Sequence, residues 1–137
     1  MKYTNNAIYT KIREAALEEV PTAYCTQTYA PKHTVFPTVF AREIGRLTPT
    51  DTATLSNAQD ISERTWEVQV FSNLSSGAKE QAYELMDAVK TALRSLYFVQ
   101  TFEAPIDQTD KTIYCLVARF QRVIGSGEDM PSTIISA

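Results

Sequence analysis

The sequence predicts an α+β fold: a mostly antiparallel sheet with two helices packed on one face, in the order α-β-β-β-α-β-β. Three observations lead there. Apolar residues recur at three- and four-residue steps over 5–20 and again over 76–96. Five other segments alternate with a period of two. No internal repeat or low-complexity linker divides the 137 residues, so at ~100–200 residues per domain the chain reads as one. That domain is expected over 1–124, with 125–137 as a flexible tail behind Gly125 and Gly127. A domain of this size buries roughly two-thirds of its unfolded surface and needs no disulfide or metal to fold.

The first helix is expected at 5–20. Ile8, Ile12, Ala15, Ala16 and Val20 line one face, while Lys11, Arg13, Glu14 and Glu18 fall mostly elsewhere. Asn5 or Asn6 is the expected N-cap. Pro21 ends the helix and disfavours helical geometry at Val20. Three strands follow, at Thr22–Tyr29, within Thr34–Leu47 and at Arg64–Ser72, with Pro37 marking a strand start or an edge. The 17 threonines, many inside these segments, agree with a sheet-rich chain.

Residues 48–63, TPTDTATLSNAQDISE, lack either period and carry Asp51, Asp60 and Glu63 without a base. A loop of ~16 residues exceeds the common connection length, so it is the first place to look for function. The second helix runs from Ser76 to Leu96, with Ala78, Ala82, Leu85, Met86, Val89, Leu93 and Leu96 as its apolar stripe. Ser75 or Ser76 is its expected N-cap. The last strands are Phe98–Ile106 and Lys111–Ile124, joined by a turn at 106–111. Fourteen residues at ~3.3 Å each exceed a typical strand. The last strand therefore either bends or projects beyond the sheet around Phe120–Ile124.

Composition excludes several functions. A net charge of −3 supplies no broad basic field for nucleic acid or membrane surfaces. Four arginines, Arg42, Arg46, Arg119 and Arg122, stand near strand ends, with Glu43, Glu67 and Glu103 placed to neutralise them. No apolar run approaches the ~20 residues that span a bilayer. The start, MKYTNNAIYTKIREA, has no secretory apolar core, so synthesis in the cytoplasm is expected. Four glycines form neither G-x-G-x-x-G nor a phosphate loop. His33, in APKHTVFP, is the only histidine and reads as a loop residue. Cys25 and Cys115 read as reduced, buried, small apolar residues, and Cys–His–Cys scattered over this distance lacks zinc spacing. No catalytic residue, cofactor site or metal site is expected, and the chain reads as a non-enzyme.

The segments FPTVFAREIG, TWEVQVFSN and AKEQAYELMDAVKTALRSL, set between a short opening helix and two final strands, carry a resemblance. Phe36–Pro37 leads into a strand, and Trp66–Asn73 runs into Ser75–Leu96 and the aromatic start Tyr97–Phe98. Over about residues 5–125 this layout resembles the tail-terminator (tail-completion) proteins of long-tailed bacteriophages, also labelled minor capsid or neck proteins. The resemblance implies a virion protein forming a ring, usually a hexamer, that caps the tail tube. Such a ring ends tube polymerisation and joins the tail to the head–neck connector, while DNA crosses the lumen without specific binding. The nearest alternatives are a head-completion or connector adaptor and a monomeric module directed at a host protein.

A ring needs head-to-tail contacts that close by rotation, and the long loop, the over-long last strand and the tail are the expected donors. The expected assembly residues are Asp51, Leu55, Asp60, Phe120, Met130, Ile134 and Ile135. The loop 48–63 is expected to face an axial partner or the lumen. The tail is expected to order on assembly, anchored by Met130, Ile134 and Ile135.

Overall fold

A computed structural model of the chain describes residues 2–28, 34–47, 61–125, 128 and 130. Helix α1 spans Asn5–Glu19. Its N-cap is Thr4, whose hydroxyl accepts from Ala7 N at 3.0 Å; Asn5 and Asn6 already lie inside the first turn. Val20 leaves the helix in an extended conformation ahead of Pro21, as the proline requires. Ala7, Ile8, Ile12 and Ala16 form the buried stripe.

Helix α2 spans Ala78–Ser95 and buries Ala82, Leu85, Met86, Val89 and Leu93. Its N-cap is Gly77 at φ +88, with no side-chain cap from Ser75 or Ser76. Glycine takes that left-handed turn without steric cost. At the other end Tyr97 is left-handed, at φ +67. Phe98 N donates to Leu93 O at 3.0 Å and Tyr97 N to Arg94 O at 2.9 Å. This 6→1 and 5→2 pair satisfies the last helical carbonyls. Leu93 and Phe98 both enter the core, so the same turn aims the next strand. No helix among the described residues is long and apolar enough to cross a membrane.

The strands are β1 (Tyr24–Thr26), β2 (Thr38–Leu47), β3 (Ile61–Ser72), β4 (Val99–Ile106) and β5 (Tyr114–Gly125). They form one sheet in the order β1-β2-β3-β5-β4. The β1–β2 pair is parallel and the other three are antiparallel. β1 pairs over three residues only, from Tyr24↔Thr38 to Thr26↔Phe40, and is shorter than the alternation over Thr22–Tyr29 suggests. A cis peptide precedes Pro37 at the head of β2.

β5 does not project alone. β3 accompanies it from Ser72↔Tyr114 to Ile61↔Gly125, which places 61–63, expected in the loop, within β3. Bulges fall between Glu43 and Gly45 in β2 and between Gln100 and Phe102 in β4, shifting the side-chain alternation beyond each.

The two helices share one face of the sheet. Between them and it lie Val39, Ala41, Trp66, Val68, Val70, Leu116, Ala118 and Phe120, with the buried stripes of α1 and α2. A smaller group, Phe40, Phe71, Cys115 and Val117, is buried on the opposite face against Phe36 and Ile113. Cys25 packs with the helix-side core and Cys115 with the other group. Two strands also separate β1 from β5, about 14 Å at ~4.8 Å per step. Both thiols are free, and this geometry forbids a bridge between them.

Candidate interaction surface

The sheet face away from the helices carries an ordered polar row. Register aligns Arg42 of β2 with Glu67 of β3, and Glu67 with Arg119 of β5. Period-two alternation sends all three to the open side with Phe40, Phe71 and Val117. Arg119 Nε donates to Glu67 Oε2 at 2.9 Å, and Gln69 Nε2 donates to Glu67 Oε1 at 2.9 Å. Each arginine also lies over an aromatic ring, Arg42 at 5.2 Å from the centre of Phe40 and Arg119 at 5.4 Å from that of Phe102. Such placement adds a cation–π attraction. Beside the row, burial and then the Glu67 charge push the Cys115 thiol up to about 12; it is a packing group.

The row ends at an apolar edge. β4 is the outer strand, and its partners on β5 put Val99, Phe102, Ala104 and Ile106 on the open face. Val99 is 65% exposed, Phe102 42% and Ile106 45%. Val123 on β5 and Leu47 on β2 extend the exposed apolar surface at the end of the sheet where 48–60 leaves. Edge strands expose unpaired backbone groups, and soluble proteins usually guard them with charge or proline. Here Pro105 is the only proline in the strand, and the open-face side chains of β4 carry no charge.

A second polar cluster, on the helix side, holds the termini of the elements together. Arg64 is buried and donates to Tyr3 O, Asn5 Oδ1 and Glu43. Arg122 donates to Tyr3 Oη, to Leu96 O at 3.0 Å and to Glu128. Its guanidinium lies between the rings of Tyr3 and Tyr97, at 4.7 and 5.3 Å from their centres. Burial pushes the Glu43 carboxyl up, but hydrogen bonds from Arg46 and Arg64 outweigh it and leave the pKa below the ordinary value of 4.5. Arg64 holds Tyr3 O and Asn5, and Arg122 joins Tyr3 to Glu128, so the cluster clamps the start of α1 to the segment after β5. A third contact, Lys90 Nζ to Glu103 Oε1 at 2.9 Å, ties α2 to β4. Of the four arginines expected to be neutralised by Glu43, Glu67 and Glu103, Arg46 meets Glu43 and Arg119 meets Glu67, whereas Glu103 pairs with Lys90 and Arg122 with Glu128.

The expected assembly residues separate. Phe120, 1% exposed, belongs to the helix-side core opposite Trp66; alternation along β5 turns it inward, and it is not a surface contact of this chain. Met130, 8% exposed, packs into the same core of its own chain. Asp51, Leu55, Asp60, Ile134, Ile135 and His33 lie outside the described residues. Val99, Phe102 and Ile106 were not singled out from sequence. The bulge at Thr101 breaks the simple alternation that would have shown them on one face, and the absence of charge among the open-face residues of β4 itself was the available signal. Among the described residues no group of three His, Cys, Asp or Glu stands close enough to hold a metal.

Neither the models of known protein families nor the curated proteins include a match to this chain.

Proposed function

We propose that this chain is a structural subunit of the tail-terminator type: a virion protein that assembles as a ring, caps the tail tube and joins it to the head connector. The observation that carries the reading is the exposed apolar row of the edge strand β4 at Val99, Phe102 and Ile106. An exposed edge of this composition is a hazard on a solitary protein and an asset on a subunit that must pair with another. The sheet has two unlike edges, the long β4 and the three-residue β1. An unlike pair of surfaces suits head-to-tail contacts, which close into a ring when the rotation per step allows it. The order of elements and the single long α2 on the sheet agree with the layout the resemblance implies. The partners under this reading are further copies of the chain, the tube subunit and the connector, with DNA passing the lumen unbound. No reaction is assigned to it.

Light scattering and electron microscopy of the purified chain, alone and with tail tubes, test the reading. Rings seated on tube ends, and tubes that stop growing, are the expected result. A chain that stays solitary while tubes elongate past it overturns the proposal.

A further inference from the structure

The open-face row holds two arginines to one carboxylate. Glu67 is buried and engaged by Arg119 and Gln69. Arg42 is exposed and meets no carboxylate among the described residues; it rests on Phe40. The Arg119 side chain is 49% exposed. The row therefore keeps an excess positive charge, set beside the exposed ring of Phe102. Arginine beside aromatic rings is the composition of interface hot spots, and a guanidinium taken out of water needs a carboxylate in its place.

The opposite outer face of the domain carries the matching charge. Glu80, Glu84 and Asp87 of α2 are exposed and, at i, i+4 and i+7, stand in one stripe. That stripe points away from Ala82, Leu85, Met86, Val89 and Leu93, which face the sheet. Glu80 and Glu84 meet no cation among the described residues. Asp87 has Lys90 at 3.5 Å yet keeps its side chain 69% exposed. The outer face of α1 offers less, because it interleaves Lys11 with Glu14 and Glu18.

The spacings also agree. Arg42 and Arg119 stand two strands apart, about 10 Å at ~4.8 Å per step. Glu80 and Asp87, two turns apart on α2, are also separated by about 10 Å at ~1.5 Å per residue. The two surfaces lie on opposite sides of one chain and cannot meet within it. Resting on the ring reading above, we infer that the outer face of α2 of one copy docks across the open sheet face of the next. Glu80, Glu84 and Asp87 meet Arg42 and Arg119 there, and the helix covers Phe102. The contact joins different surfaces of identical chains, so it repeats head to tail.

Charge reversal, read by sedimentation velocity, tests it. One variant carries Glu80→Lys and Glu84→Lys, the other Arg42→Glu, and melting curves establish that each is folded. Arg119 is left in place because the buried Glu67 depends on it. Each variant alone is expected to associate about tenfold more weakly than the unaltered chain, whose own association weakens with salt. Mixed one to one, they are expected to recover assembly, because the reversed helix then meets the reversed sheet and the unaltered helix the unaltered sheet. If a reversed variant fails to fold, the neutral pair Glu80→Gln and Glu84→Gln decides, with weaker association again expected. Unaltered assembly of either Glu80/Glu84 variant overturns the inference and leaves the ring standing; if Arg42→Glu alone weakens assembly, the sheet face takes a different acidic surface. Loss in both reversed variants without rescue on mixing overturns it as well. An unaltered chain that stays solitary beside tail tubes overturns the ring reading and this inference together.

Discussion

Arg119 and Glu67 face each other in register across β5 and β3, joined at 2.9 Å, with the carboxylate buried and the guanidinium half in solvent. This asymmetry sets what each deletion does. Removing the arginine leaves a buried charge short of a donor, whereas removing both partners leaves nothing uncompensated. Arg119→Ala is expected to cost about 1–2 kcal/mol of stability. In a Glu67→Ala background the same change is expected to cost less than about 0.5 kcal/mol. Urea unfolding of the four proteins of this double-mutant cycle reads the coupling.

Glu43 gives the protein an acid-sensitive clamp. Its pKa is lowered in the folded chain, so its contribution is fully present above the ordinary value of 4.5 and is lost as pH falls through the lower folded value. Stability is expected to decline on acidification below about pH 4.5. Glu43→Gln is expected to flatten that part of the profile, as measured by melting temperature against pH.

The thiols are expected to differ in reactivity. Burial raises both pKa values, that of Cys115 to about 12, and Cys25 is only half-buried. With iodoacetamide at about pH 8, Cys115 stays unmodified in the folded protein, Cys25 reacts slowly, and denaturant releases both. Mass spectrometry of the alkylated chain reads this order directly.

The β4 edge separates folding from association. Val99→Lys and Ile106→Lys replace exposed apolar side chains, and stability is expected to change by no more than about 0.5 kcal/mol. Self-association is expected to fall, because an inserted charge blocks edge pairing. Sedimentation velocity beside thermal melts distinguishes the two effects.

The α2 core contact is the counterpart. Leu93 is fully buried and closes the turn into Phe98. Leu93→Ala is expected to cost about 2–5 kcal/mol, with calorimetry as the measurement.

What the sequence revealed follows the range of each interaction. The stripe of α2 and the alternation of Trp66, Val68 and Val70 are local signals, so the element order and the face each element buries were legible. Caps were less so. Thr4 rather than Asn5 or Asn6 caps α1, and a left-handed Gly77 rather than Ser75 or Ser76 precedes α2, because several neighbouring residues can satisfy the same turn. Strand partners were illegible. Nothing local states that Glu67 stands opposite Arg119, 52 residues away, or that β1 runs parallel to β2. The candidate surface depends on those long-range registers and on the bulge at Thr101, which explains why Phe120 was expected outside and Phe102 was overlooked.

The placement of β5 between β3 and β4 has a consequence for synthesis. β3 and α2 leave the ribosome before the strand that completes the sheet between them and β4 exists. Translation at ~5–20 residues per second leaves about 2–8 s between the end of β3 at Ser72 and the start of β5 at Tyr114. During that interval Trp66 and its neighbours have a helix on one side and an open seam where β5 belongs. The sheet therefore closes only when β5 is available to pair with β3 and β4 together.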